Sequence, residues 1–173
     1  MDQHPRSRAG LICLVLSAVC FASSCASERV IQVGQRIHHD DFEYRVTGFT
    51  VPDSIGSGAT QRKTARHFYV VTFEVENRAK RVGHRWDNSI AYVVDDLGHT
   101  YENLPDLQAI LNAQQPFNYS LQHVTPAGSV EDTRLVFELP RDVAHPCLMV
   151  RGELLMGDLF DGKAFTRTKI RLF

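Results

Sequence analysis

His38-His39-Asp40-Asp41 is the densest run of metal-capable side chains in this sequence of 173 residues. Two imidazoles and two carboxylates could hold a divalent cation, but only from a loop. In a strand, adjacent side chains leave on opposite faces, so His38 and His39 would not reach one ion together. The plainer reading is a solvated turn before the strand that begins at Phe42. The other histidines of the chain's middle and end, His67, His84, His99, His123 and His145, have no paired spacing. Gly56-Ser57-Gly58-Ala59-Thr60-Gln61-Arg62-Lys63-Thr64 has the look of a phosphate loop. It fails as one, because Ser57 and Arg62 stand where its two glycines belong and no βαβ unit surrounds it.

What remains there is a loop of about a dozen residues with a basic end at Arg62, Lys63 and Arg66. Loops of that kind carry function often enough to make these cations candidates for partner binding. Trp86, the single tryptophan, joins them as a candidate surface anchor beside His84, Arg85 and Asp87; its plainer reading is half-buried packing at a strand end. No nucleophile elbow surrounds Ser57 and no His-Glu-x-x-His pair occurs. Cys147, in Cys147-Leu148-Met149-Val150, reads as an inert thiol on a buried strand. The expectation is a chain without catalytic residues or cofactor.

The first 27 residues carry an address. Arg6 and Arg8 precede the apolar run from Leu11 to Ala22, and small residues follow, so the segment is an export signal and lies outside the fold. Its apolar core is too short for a bilayer of about 30 Å. Three readings stay open: a lipoprotein signal, ordinary cleavage after Ala26, and an uncleaved anchor, the first being favoured. Ala22-Ser23-Ser24-Cys25 resembles a bacterial lipobox, with Ala22 in place of the usual leucine. The resemblance implies that residues 1–24 are removed, that Cys25 becomes the lipidated first residue, and that 25–29 form a linker. The protein would then face the periplasm or the exterior from the cell membrane or the outer membrane, held by its lipid.

Loss of residues 1–24 removes Arg6, Arg8 and Asp2, leaving 17 of the 19 basic residues and 19 of the 20 acidic ones. That balance offers no basic excess for phosphate neutralisation, so nucleic acid is excluded as an expected partner. Cys147 would be the one thiol left in the folded part, so the domain must stand on its hydrophobic core. Residues 30–173 suit one domain of sufficient size to do so.

Period-two patterning dominates this region. Phe42, Tyr44 and Val46 alternate with Glu43, Arg45 and Thr47; Tyr69, Val71, Phe73 and Val75 alternate with Thr72, Glu74 and Glu76. Phe68 and Val70 make the first half of that second strand apolar on both faces, as in a central strand. Further strands follow at Ile90–Val94, Leu135–Leu139, Cys147–Glu153 and Thr168–Leu172, with turns at Asp95–Gly98, Pro126–Gly128 and Asp161-Gly162. One stretch reads as helix: Pro105 and Asp106 start it, and Leu107, Ile110 and Leu111 give it a core-packing stripe. A weaker helical turn falls at Leu154-Leu155-Met156. Seven or more short strands predict an all-β, Ig-like antiparallel sandwich with one short inserted helix.

The order of these blocks resembles the telokin-like, Ig-fold domain of unknown function found in bacterial secreted proteins and lipoproteins, related to immunoprotective antigens. It is carried by Gly34-Gln35, Phe42–Gly48, Phe68–Asn77, Val94–Tyr101, Pro126–Ser129 and Leu135–Pro140. The resemblance implies the sandwich and supplies no catalytic residues. The expected function is a lipid-anchored envelope domain that binds a protein or an envelope polymer. The alternatives are a metal- or small-ligand-binding domain using His38 and His39, and a hydrolase with a loop-built site.

Overall fold

The structure, a computed structural model, describes residues 28–114, 122–151 and 167–173. The export segment with Cys25, the Asp161-Gly162 turn and the helical turn at Leu154-Leu155-Met156 lie outside them. Within them the chain forms β1 (Glu28–Ile31), β2 (Arg36–His39), β3 (Phe42–Thr50), β4 (Ser54–Ile55), β5 (Arg62–Lys63), β6 (His67–Asn77), β7 (His84–Asp87), β8 (Ala91–Val94), β9 (Thr100–Glu102), α1 (Pro105–Asn112), β10 (Gln122–Thr125), β11 (Val130–Leu139), β12 (Cys147–Val150) and β13 (Arg167–Arg171). Glu28 and Arg29, expected in the linker, already stand in β1.

One sheet has the order β11-β6-β3-β2 and the other β1-β13-β12-β8-β9; β7–β10 and β4–β5 are separate two-stranded ribbons. The two sheets face each other across one apolar core. Tyr44, Val46, Val71, Phe73, Val75, Leu135, Phe137 and Leu139 come from the first sheet; Ile31, Ala91, Val93, Leu148 and Ile170 come from the second. The alternation read from sequence therefore becomes burial, and the fold is the expected β-sandwich with one short helix. Between Val46 and Gly48 the ladder of β3 shifts register. The shift rephases the strand, so the core-facing side changes from Tyr44 and Val46 to Phe49.

The antiparallel expectation needs one correction. β1 runs parallel to β13, with Glu28 opposite Arg167 and Ile31 opposite Ile170. A parallel pair needs a long connection, and here nearly the whole domain lies between the two strands.

The helix explains the apolar run at the start of β6. Leu107, Ile110 and Leu111 pack against Ile55, Phe68, Val70 and Val136, forming a second cluster on the outer side of the first sheet. Phe68 and Val70 alternate with the core residues of β6, so they need this separate cover. Pro105 stands in the first turn, where its missing N–H breaks no bond. Beyond the helix the same outer side is charged: Arg36 bonds Glu43 at 2.5 Å and Glu76 at 2.6 Å, Arg78 bonds Glu43 at 2.6 Å, and Arg45 bonds Glu74 at 2.5 Å. The bond from Arg36 holds the Glu43 carboxyl below its ordinary range against the opposing effect of burial, with Arg78 assisting.

The β8–β9 turn is built around Asp95. Its carboxylate accepts from the backbone N–H of Leu97 and of His99, each at 2.9 Å, and from the Tyr101 hydroxyl at 3.0 Å; His99 Nδ1 lies 2.8 Å away. Gly98 takes the positive φ of 84° that the turn requires. Burial pushes the Asp95 carboxyl up, but the bonds from His99 and Tyr101 outweigh it and bring it down to about 2.

Candidate functional site

The basic stretch is a built hairpin, which corrects the expectation of a loop without strands. Ser54 pairs with Lys63 and Ile55 with Arg62, and a 3-10 turn over Gly58–Thr60 joins them. Thr60 donates its hydroxyl to the Ser57 carbonyl at 2.9 Å, and Gln61 donates its side-chain amide to the Ser54 hydroxyl at 3.0 Å. The underside is fixed by Ile55, 3% exposed in the cluster beneath α1. Gly56 allows the close approach. At its φ of +80° an added Cβ would lie 2.5 Å from the Thr60 carbonyl oxygen and 2.7 Å from Ile110 Cγ2.

The foot of the hairpin is tied to the first sheet. The Thr64 hydroxyl bonds the Glu138 carboxylate, the Arg66 N–H donates back to Thr64 Oγ1 at 3.0 Å, and Arg141 Nε donates to the Ala65 carbonyl at 2.7 Å. On this support Arg62, Lys63 and Arg66 stand exposed. None of the three forms an ion pair among the described residues, whereas Arg36, Arg45, Arg78 and Arg151 all do.

Trp86 does not belong with these cations. It lies on β7, 7% exposed, with its ring edge-on to Phe73 and stacked on His123 with ring centroids 4.0 Å apart. The reason is its place in the ladder: β7 pairs with β10 so that Trp86 faces His123, and alternate residues of both strands turn inward. Trp86 Nε1 donates to Thr125 Oγ1 at 2.9 Å, that hydroxyl lies 3.2 Å from Glu131 Oε2, and His123 Nδ1 lies 2.7 Å from Glu131 Oε1. His84, on the same side of β7, stacks on Phe42 at 3.9 Å, and its Nε2 lies 2.9 Å from the Tyr44 hydroxyl.

His84 and His123 are the residues that sequence spacing passed over. Their signal was present as a period of two, His84-x-Trp86 and His123-x-Thr125, but no register connected the two strands. Both sets of positions on the same ribbon, Arg85, Asp87, Gln122 and Val124 together with His84, Trp86 and His123, line a groove of about 410 Å³ with Ser89, Ile90 and Arg151. Arg151 is committed to Glu102 by two bonds and to the Tyr92 ring by a cation–π contact at 4.4 Å.

His38 and His39 occupy adjacent positions of β2, opposite Glu43 and Phe42. His38 Nδ1 lies 3.4 Å from Glu43, while the His39 ring stands edge-on to Tyr44. The strand divides them, so they do not converge on one ion, and the metal reading loses its proposed pair. Asp40 takes a left-handed φ of 50° in the turn that follows. Among the described residues no three His, Cys, Asp or Glu side chains form a group that could hold a metal. Cys147 is buried, and burial raises its thiol above the ordinary value. Cys25 lies outside the described residues. No helix among those described is long and apolar enough to cross a membrane.

No protein-family model matches the chain, and no curated protein matches it in sequence. Solved structures do share its fold. The yjhA protein of Bacillus subtilis is 10% identical with a TM-score of 0.56, covering 82% of this chain and 98% of its own. A conserved hypothetical protein of Bacillus anthracis is 16% identical with a TM-score of 0.55, covering 69% and 87%. MPT63, a secreted protein of Mycobacterium tuberculosis, is 15% identical with a TM-score of 0.53, covering 75% and 93%. At these identities the likeness is one of fold. The chain is a β-sandwich similar in architecture to bacterial proteins of which one is secreted, and none of these three descriptions names a catalytic activity.

Proposed function

We propose that this protein is a lipid-anchored, non-catalytic binding domain of the bacterial cell envelope, held by Cys25 and engaging its partner through the hairpin that carries Arg62, Lys63 and Arg66. The observation that carries this reading is the combination of bracing and exposed charge. A surface feature held from beneath by Ile55 and Gly56 has lost its conformational freedom before any partner arrives, so binding costs less ordering. Cations already engaged in ion pairs would have to break them; among the described residues these three have none to break. The secreted neighbour MPT63 and the export signal agree with an envelope location. By the lipobox resemblance, Ala26 and Ser27 alone separate Cys25 from β1, so the anchor would keep the Glu28 end of the sandwich within roughly 10 Å of the bilayer.

Two measurements test it. Cys25→Ala should release the protein from the membrane; a variant that stays bound at the processed mass would remove the lipid anchor. Cross-linking of the tagged protein in its own envelope should capture a reproducible partner that is lost when residues 56–66 are scrambled.

A second reading is supported by the groove over β7 and β10: a small polar ligand held by Arg85, Asp87 and Gln122. Because Trp86 is the single tryptophan and its strand forms one wall, its emission would report occupancy. Ligand-dependent emission that survives loss of the hairpin cations would favour this groove.

A further inference from the structure

We infer that the hairpin takes a phosphate-rich polyanion, a polymer of the poly(glycerol phosphate) kind, as its partner. The inference rests on the reading above that this hairpin is the binding surface, and it chooses between the two partner classes that reading leaves open. Protein interfaces are built around apolar and aromatic anchors that fill pockets, with charges at the rim. The hairpin offers no such anchor. Within the hairpin and its foot, residues 54–66, no large hydrophobic side chain is exposed, and Ile55 is turned under α1; Val51, 43% exposed, is the one exposed hydrophobic flanking it in sequence among the described residues.

What the hairpin does present is polar throughout. Ser57, Thr60 and Gln61 are exposed beside Arg62, Lys63 and Arg66, with the Arg141 guanidinium at the foot. Of the acids near it, Glu138 is engaged by the Thr64 hydroxyl, and Asp53 and Asp142 form no ion pair with these cations. Arg62 and Lys63, as neighbours in a strand, leave on opposite faces, so the positive charge is spread along a ridge. The chain as a whole has no basic excess, so the attraction is local to this ridge: charges that are exposed, spread and, among the described residues, outside any ion pair suit a flexible chain of repeated anions, whose binding is driven by release of its counterions.

The test uses the natively lipidated protein in phosphatidylcholine vesicles, titrated with fluorescently labelled synthetic poly(glycerol phosphate). The expected result is binding that weakens by about 20-fold between about 50 and 200 mM salt, the change expected for about three phosphate contacts. Arg62→Gln, Lys63→Gln and Arg66→Gln together should weaken it more than tenfold, with the near-ultraviolet signal of Trp86 unchanged. Lys80→Gln with Arg81→Gln, two exposed cations elsewhere, should leave it intact. Absence of binding by the unaltered protein, equal binding by the triple variant, or equal loss in the Lys80/Arg81 control would overturn the inference. Cross-linked capture of a protein lost in the triple variant, without polymer binding, would overturn it too while leaving the hairpin as the binding surface.

Discussion

Gln108 does the work of a neighbouring strand for Val136. Its side-chain Oε1 accepts from the Val136 backbone N–H at 3.1 Å, while its Nε2 donates to the Arg134 carbonyl at 2.7 Å. Asn103 adds a bond to the Val136 carbonyl at 3.0 Å. β11 is an outer strand of its sheet, and an open strand edge is a template for association with another chain. Here α1 and Asn103 just ahead of it cover that edge with side-chain amides, and Gln108 is fully buried in doing so.

Gln108→Leu should keep much of the volume and remove these bonds. Stability is expected to fall by about 2–3 kcal/mol, the cost of leaving buried backbone groups unpaired. Urea unfolding measures the loss, and sedimentation at rising concentration should show more self-association than in the unaltered protein.

Gly56→Ala attacks the hairpin from beneath. The added methyl meets Thr60 and Ile110, and alanine at φ +80° is strained whatever the space. A loss of about 2 kcal/mol is expected from the left-handed backbone and the overpacking together. Amide exchange should accelerate over residues 54–63, and partner capture should weaken although no cation has been touched.

Asp95 makes a prediction about acid. Its folded pKa of about 2 lies below the ordinary 3.8, so its contribution to stability is complete above about pH 4 and is lost as pH falls towards 2. Asp95→Asn should lower stability at neutral pH and remove this part of the acid dependence. Thermal midpoints measured between about pH 5 and 2 would show converging curves for the two proteins.

Cys147 should be unreactive in the folded protein. It is buried, and burial raises its pKa, so the thiolate that attacks a disulfide reagent is scarce and shielded. A chromogenic disulfide reagent at pH 8 should label it only after guanidinium is added. Prompt labelling of the folded protein would contradict the placement of β12 between β13 and β8, where Cys147 packs with Val94 and Met149.

Local pattern carried most of the fold. Tyr44 and Val46, Val71, Phe73 and Val75, and Leu135, Phe137 and Leu139 are alternating sets in sequence and one core in space. Pro105 with Leu107, Ile110 and Leu111 marked the helix, because its start signal and its stripe both lie within eight residues. Features that depend on register across the chain were hidden. Trp86 reads as half-buried packing with a surface anchor as the rival, and only the pairing of its strand with that of His123, 37 positions on, decides for burial. Strands of two residues, β4 and β5, are too short to show a period, so a braced hairpin reads as a loop. Gln108 has nothing in its neighbourhood to announce that it meets a backbone in β11. The cations Arg62, Lys63 and Arg66 were legible; that none of them forms an ion pair among the described residues was not, since that depends on every other charge.

The parallel pairing of β1 with β13 has a mechanical meaning. A tension drawn through the N-terminus along the axis of β1 would not open the ladder one rung at a time, as it would in a hairpin peeled from its end. It would slide β1 past β13 and load the four register positions together, with the Lys169–Glu28 ion pair at 2.8 Å resisting at the same edge. The domain's first strand is thus fastened in shear, the geometry in which a short strand yields last, at the point where any pull from residues 1–27 enters the fold.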